Sequence, residues 1–119
     1  MRQAGYLAAA GLFAMENNIN RLAEDHAHAK QLASALADCR WVGEIFPVET
    51  NIVIFEVLGN GNSVTSAASA KKTAPEIIAP LNSQNIRVSA MSPTHIRMVT
   101  HLDVTPEMVQ RTVEVLKGL

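Results

Sequence analysis

The chain has 119 residues, of which 48% are hydrophobic and 18% are charged. Ten lysines and arginines against eleven aspartates and glutamates exclude the strongly basic surface of a nucleic-acid-binding protein. The single cysteine, Cys39, excludes a disulfide framework within the chain and favours a cytoplasmic location. The apolar run from Gln3 to Met15 is far shorter than the ~20 residues a membrane-spanning helix needs, so no membrane partner is expected.

Two helices are predicted at the start of the chain. Alanine and glycine dominate residues 4–14, which favours a thin helix over 2–17 that packs closely against another segment. A signal peptide is a minor alternative for this run, which continues directly into an amphipathic helix over 21–37. The apolar stripe of the second helix comprises Leu22, Ala29, Leu32, Ala33 and Leu36.

The middle of the chain predicts extended structure. Residues 51–58 (NIVIFEVL) are the strongest strand, because they are β-branched, aromatic and nearly continuous in apolar character. Trp41-Val42 and Phe46-Pro47 predict a short edge strand before it. Residues 59–62 predict a turn, and residues 63–72 are ambiguous.

The last part of the chain predicts a hairpin between two capped helices. Thr73 and Glu76 form a capping box that opens a helix to about Asn82, in which Pro80 predicts a kink or an early end. Strands over 86–90 and 95–100 are joined by a short loop, which favours an antiparallel hairpin. Thr105-Pro106 starts the final helix, whose inner stripe is Val109, Val113 and Leu116. The predicted fold is α+β, with a small antiparallel sheet covered by helices on one face.

The four histidines do not predict a metal or catalytic centre. His26 and His28 are two apart on a helix and therefore face different directions. His95, at a strand start, is expected to be structural. His101 is expected to form a hydrogen bond with Asp103 that fixes the corner before the last helix. Cys39 has no activating neighbour in the sequence and is expected to be inert.

Two arginines lie on predicted strands of the sheet. Arg97 points to the face opposite Ile96 and Met98. Its guanidinium is either a solvent-exposed charge at the edge of the sheet or a planar group that binds both oxygens of a carboxylate. Arg87, on the partner strand, leaves the same two possibilities open.

Several ordered blocks resemble the C-terminal part of low-specificity L-threonine aldolases. The most specific block is Ile96 to Val104 (IRMVTHLDV). The other matching blocks are residues 1–5 (MRQAG), 7–11 (LAAAG), 21–26 (RLAEDH), 50–53 (TNIV) and 86–90 (IRVSA). Residues 60–83 agree least.

This resemblance implies a pyridoxal phosphate (PLP) enzyme of the aspartate-aminotransferase fold type. Such lyases cleave β-hydroxy amino acids, typically threonine or allo-threonine, to glycine and an aldehyde. By the same resemblance, Arg97 would bind the substrate α-carboxylate and Arg2 would reach the cofactor phosphate of a neighbouring subunit. Residues 1–17 would be the helix that joins or packs on the large PLP domain, and residues 18–119 the small domain.

The family lysine that holds PLP covalently has no counterpart in this sequence. None of its four lysines (Lys30, Lys71, Lys72 and Lys117) lies in the family context for that residue. The chain alone is therefore expected to be inactive and not to hold PLP covalently. Its expected partner is an N-terminal PLP-bearing part or a further copy of the chain. The alternatives are a stand-alone module in which Arg97 and Arg87 bind a small carboxylate, or a decayed gene product. Related lyases that eliminate from aromatic amino acids are a further possibility within the same fold type.

Overall fold

A computed structural model describes residues 2–58 and 72–119, which form four helices and four strands. The elements are α1 (Ala4–Asn17), α2 (Leu22–Ala37), β1 (Val42–Ile45), β2 (Ile52–Val57), α3 (Ala74–Ser83), β3 (Ser89–Ala90), β4 (His95–Val99) and α4 (Pro106–Lys117). The predicted turn at 59–62 and nearly all of the ambiguous segment 63–72 lie outside the described residues. The α+β class and the order of its elements are confirmed.

The four strands form one antiparallel sheet in the order β1-β2-β4-β3. Phe55 pairs with Ile96, which in turn pairs with Ala90, so the predicted hairpin of β3 and β4 is present. Strand β3 has only two residues, and β1 begins within the first predicted edge segment, at Val42, and ends at Ile45, just before the second. The best predicted strand, β2, is at the centre beside β4.

The core lies between one face of this sheet and helices α2, α3 and α4. Alternation along β2 and β4 points every second side chain inward. The larger buried apolar residues include Val53, Phe55 and Val57 of β2, Ile96 and Met98 of β4, Leu32 and Leu36 of α2, Ile77 and Leu81 of α3, and Val109 and Leu116 of α4, and Ala29, Ala35, Cys39 and Ala74 are buried with them. The predicted inner stripes are confirmed apart from Leu22, which is 46% exposed. The first turn of α2 packs through Asp25 instead, a carboxylate that is 3% exposed.

Helix α3 continues through Pro80, so the early end that this proline predicts is not found. The helix ends where Asn85 adopts a left-handed conformation with φ of 61°. The N–H of Asn85 then donates to the carbonyl of Asn82 at 3.0 Å, and that of Ile86 to the carbonyl of Leu81 at 2.9 Å. This pair of bonds is the Schellman pattern, which satisfies the last carbonyls of a helix.

Helix α1 buries none of its residues. Its large apolar side chains are Tyr6, Leu7, Leu12, Phe13 and Met15, and each is at least 59% exposed. The division into a packing helix over 1–17 and a domain over 18–119 stays a prediction. No helix among the described residues is long and apolar enough to cross a bilayer.

Candidate functional site

The face of the sheet that points away from the helices carries the predicted substrate-binding arginine. We call it the outer face and define it by Ile52, Ile54 and Glu56 of β2 and His95, Arg97 and Val99 of β4. These residues pair across the two strands as Ile54 with Arg97, Glu56 with His95, and Ile52 with Val99. Ile52 is 39% exposed and Val99 is 44% exposed, so apolar side chains on this face remain open to solvent.

Arg97 lies at the centre of the outer face. Its cross-strand neighbours are Ile54 on β2 and Ser89 on β3. Its side chain is exposed, and no acidic group among residues 2–58 and 72–119 lies within ion-pairing distance of it. The planar guanidinium is therefore open to a ligand, and it can bind both oxygens of a carboxylate at once.

A shallow depression lies on the β2 side of the outer face and includes Ile54, the cross-strand neighbour of Arg97. It is lined by Phe46, Pro47, Glu49, Thr50, Ile52 and Ile54. The lining is mixed, because Phe46, Pro47, Ile52 and Ile54 are apolar whereas Thr50 is polar and Glu49 has a carboxylate. The sequence analysis did not assign Phe46 or Ile54 to a site. The nearly continuous apolar character of NIVIFEVL was the available signal, because it is typical of a strand covered on both faces.

His95 organises the β3–β4 turn, as predicted. Its Nδ1 lies 3.0 Å from the hydroxyl of Ser92 and 3.0 Å from that of Thr94. Its ring centre is 6.0 Å from that of Phe46. These contacts hold the start of β4 beside the depression, so the imidazole has a structural role.

The predicted hydrogen bond between His101 and Asp103 is present at the corner after β4. Its donor is the backbone N–H of Asp103, and the carboxylate takes no part in it. Nδ1 of His101 accepts a hydrogen bond from the backbone N–H of Asp103 at 3.3 Å, and the Asp103 carboxylate lies 3.6 Å away. Both side chains are mostly exposed, so they fix a corner and do not form a buried reactive pair. His26 and His28 do not come together as metal ligands, and no group of three or more metal-binding side chains occurs within the described part of the chain.

Cys39 is buried and lies outside the outer face. Burial raises the pKa of its thiol, and the neighbouring Asp38 carboxylate raises it further. The sulfur donates to the carbonyl of Ala35 at 3.3 Å. The predicted inert thiol agrees with this environment, because a buried neutral thiol is a poor nucleophile.

Arg2 and Arg87 are both exposed. Arg2 precedes α1, and among the described residues it makes no contact with Arg97. Arg87 lies two residues before Ser89, the neighbour of Arg97 on β3. The substrate role predicted for Arg97 and the cofactor role predicted for Arg2 therefore remain predictions.

The described residues do not by themselves form a PLP site. Lys30 is exposed on α2, Lys72 donates to the carbonyl of Leu119, and Lys117 lies 3.9 Å from the Asp38 carboxylate. None of these three lysines lies on the outer face, and Lys71 lies outside the described residues. The predicted contacts of PLP and its substrate are the exposed guanidinium groups of Arg2 and Arg97, so no step of the cofactor's chemistry can be assigned to the described residues.

Sequence comparisons identify the class of protein. A family model described as beta-eliminating lyase matches residues 1–59. The chain is 35% identical to the low specificity L-threonine aldolase of Escherichia coli (strain K12), over 92% of this chain and 28% of that protein. It is 30% identical to low-specificity L-threonine aldolase 1 of Arabidopsis thaliana, over 94% of this chain and 29% of that protein.

These matches relate the chain to the beta-eliminating lyases, a class of PLP-dependent enzymes. Within that class its relatives are the low-specificity L-threonine aldolases, as the resemblance predicts. The chain spans less than a third of the length of these curated relatives.

Proposed function

We propose that the chain is the C-terminal portion of a PLP-dependent lyase that cleaves L-threonine or L-allo-threonine to glycine and acetaldehyde. The observation that carries the proposal is the position of Arg97. It lies within the block that resembles threonine aldolases most specifically, and it stands on an open sheet face next to Ile54, which lines a shallow depression.

Arg97 binds the α-carboxylate of the substrate in this proposal. A solvent-exposed ion pair contributes only about 0.2–1 kcal/mol, so Arg97 alone holds an amino acid very weakly. Covering the outer face with a second segment removes water and strengthens the same contact several-fold. The open face therefore gains its function when another part of the enzyme packs on it.

The remaining active-site groups come from a PLP-bearing segment, either in one longer polypeptide or in a separate chain. We call the combination the assembled enzyme. PLP supplies the electron-withdrawing ring that permits cleavage of the Cα–Cβ bond. In the assembled enzyme Arg2 contacts the cofactor phosphate of a neighbouring subunit, and the lysine that holds PLP belongs to the added segment.

Calorimetry on the chain alone separates this proposal from a stand-alone carboxylate-binding module. Titration with glycine and with L-threonine, without PLP, is expected to give dissociation constants above about 10 mM. One exposed guanidinium supplies too little binding free energy for tighter binding. Binding in the micromolar range that is lost in Arg97→Ala and in Arg87→Ala would contradict the proposal and support the module.

Sequencing of the coding DNA upstream of Met1 identifies the source of the PLP-bearing segment. The proposal predicts an open reading frame that continues upstream into a lysine-bearing PLP segment, or a separate gene whose product co-purifies with this chain. A stop codon together with the absence of such a partner would support a decayed gene product.

A further inference from the structure

Thr100 joins β2 and β4 one residue beyond the end of β4, and three residues after Arg97. It is a polar residue that is 1% exposed. Its backbone N–H donates to the carbonyl of Asn51 at 2.9 Å, and Nδ2 of Asn51 donates to the carbonyl of Thr100 at 2.6 Å. These bonds extend the ladder beyond the Ile52–Val99 pair, with a side-chain amide as the second donor.

The hydroxyl of Thr100 connects this end of the β2–β4 ladder to α2. Oγ1 donates to the backbone carbonyl of Asp25 at 2.7 Å. The Asp25 carboxylate accepts hydrogen bonds from Nη1 and Nη2 of Arg21 at 3.1 and 3.4 Å. Because a buried carboxylate needs its charge partner, this ion pair fixes the first turn of α2 and with it the carbonyl that Thr100 binds.

The direction of the Arg97 side chain depends on the backbone of β4. No other side chain among the described residues forms a hydrogen bond with its guanidinium, so the strand itself must hold it in place. The distance along the strand from Arg97 to Thr100 is about 10 Å, at about 3.3 Å per residue. A displacement of about 1 Å in a substrate-binding group can lower the rate ~100-fold.

We propose that Thr100 is a positioning residue for the substrate carboxylate and that it acts through Arg97. Thr100, Asn51 and Asp25 form what we call the β4 clamp, which fixes the end of the strand that carries Arg97. This inference rests on the proposed function, in which Arg97 binds the carboxylate. Three sequence blocks separated by many residues (RLAEDH, TNIV and the IRMVTHLDV block) meet at the clamp.

The test compares Thr100→Val with Thr100→Ser in the assembled enzyme. Valine keeps the shape of threonine and loses the hydroxyl, whereas serine keeps the hydroxyl and loses the methyl group. Thr100→Val is expected to raise the KM for L-allo-threonine about tenfold, and Thr100→Ser by less than about threefold. A merely structural role would reduce the amount of folded enzyme, which lowers the apparent kcat and the melting temperature but leaves KM unchanged.

Arg97→Lys is the reference variant that separates the two proposals. If Arg97→Lys raises KM while Thr100→Val keeps the KM of the parent, the clamp is overturned and the proposed function stands. If Arg97→Lys also leaves KM unchanged, the proposed function fails and the clamp fails with it. Should Thr100→Val not accumulate as folded protein, Asn51→Ala must raise KM, because it removes the 2.6 Å bond alone; an unchanged KM in that variant overturns the clamp.

Discussion

Glu76 illustrates how a single side chain contributes to the start of a helix. Its carboxylate accepts hydrogen bonds from the backbone N–H and from the hydroxyl of Thr73, at 2.6 and 2.9 Å. These two bonds hold the pKa of Glu76 below its ordinary value, and the bond from the backbone N–H has the larger effect. The hydrogen bond to Thr105 lowers the pKa of Glu107 at the start of α4 in the same way.

We expect Glu76→Ala to lower the melting temperature at pH 7 by a few degrees. Because the pKa is lowered on folding, the stabilisation is present above the unfolded pKa, which is about 4.3. It is lost as the pH falls through the lower folded pKa, so the difference from the parent should shrink toward pH 3. Thermal melts across this range test the prediction. Glu114→Ala, an exposed residue of α4, is the control and should show no such trend; a Glu76→Ala effect that persists unchanged at pH 3 would contradict the account.

Cys39 should react slowly with thiol reagents in the folded chain. Its pKa is raised chiefly by burial, so little thiolate is present at pH 8 and the sulfur is covered. Labelling with an aromatic disulfide should be at least ~100-fold slower in buffer than in denaturant. Equal rates in the two conditions would show that the packing around Cys39 described here is wrong.

Residue roles that depend only on neighbours within one helical turn could be predicted from the sequence. Thr73 with Glu76, and Thr105 with Pro106, follow spacing rules within one turn, and both starts are found. Asp25 gave no such signal, since a carboxylate in the first turn of a helix is usually solvated. Its backbone carbonyl accepts a hydrogen bond from Thr100, which is 75 residues away, and a contact at that distance leaves no local signal.

At the scale of elements, α3 contains a conflict between local sequence and tertiary packing. Pro80 lies inside the helix and cannot donate to the carbonyl of Glu76, four residues earlier. Ile77 and Leu81 on the same helix are fully buried. Their packing, with the Schellman end at Asn85, keeps the helix intact through the proline.

We expect Pro80→Ala to increase the free energy of unfolding by about 1 kcal/mol. Alanine restores the missing hydrogen bond, a gain partly offset by greater freedom of the unfolded chain and by lost packing of the half-buried ring. Pro75→Ala is the matched control, because Pro75 lies in the first turn, where no helical donor is needed. Chemical denaturation tests the pair. A Pro80→Ala chain less stable than the parent would mean that ring packing outweighs the hydrogen bond.

At the scale of the whole molecule, two apolar surfaces lie open. Helix α1 buries none of its residues, and the outer face exposes Ile52 and Val99. Exposed apolar area of this kind is typical of surfaces that pack on another segment or chain.

The isolated chain is therefore expected to self-associate at micromolar concentrations. Phe13→Glu, which places a charge on the open surface of α1, should shift sedimentation toward the monomer. Gln31→Glu adds the same charge on the exposed side of α2 and should leave the distribution unchanged. A parent chain that sediments as a single monomer and melts cooperatively at high temperature would contradict this expectation.

Composition, periodicity and capping or turn residues predicted the four helices of the described residues and the hairpin, because these signals are local. The sheet order β1-β2-β4-β3 could not be derived in the same way, since pairing of β2 with β4 joins segments about 40 residues apart. The position of Arg97 next to Ile54, which lines the depression, follows from that pairing. Alternation on β4 did place Arg97 on the face opposite the core, as the structure confirms.

The most direct test of the central claim is the KM for L-allo-threonine in the assembled enzyme, measured for Arg97→Lys and Arg87→Lys. Lysine keeps the charge and loses the two-pronged contact with a carboxylate. The account predicts a rise of at least about tenfold for Arg97→Lys and a change below about twofold for Arg87→Lys. Equal KM values for the parent and Arg97→Lys would contradict the claim that Arg97 binds the substrate.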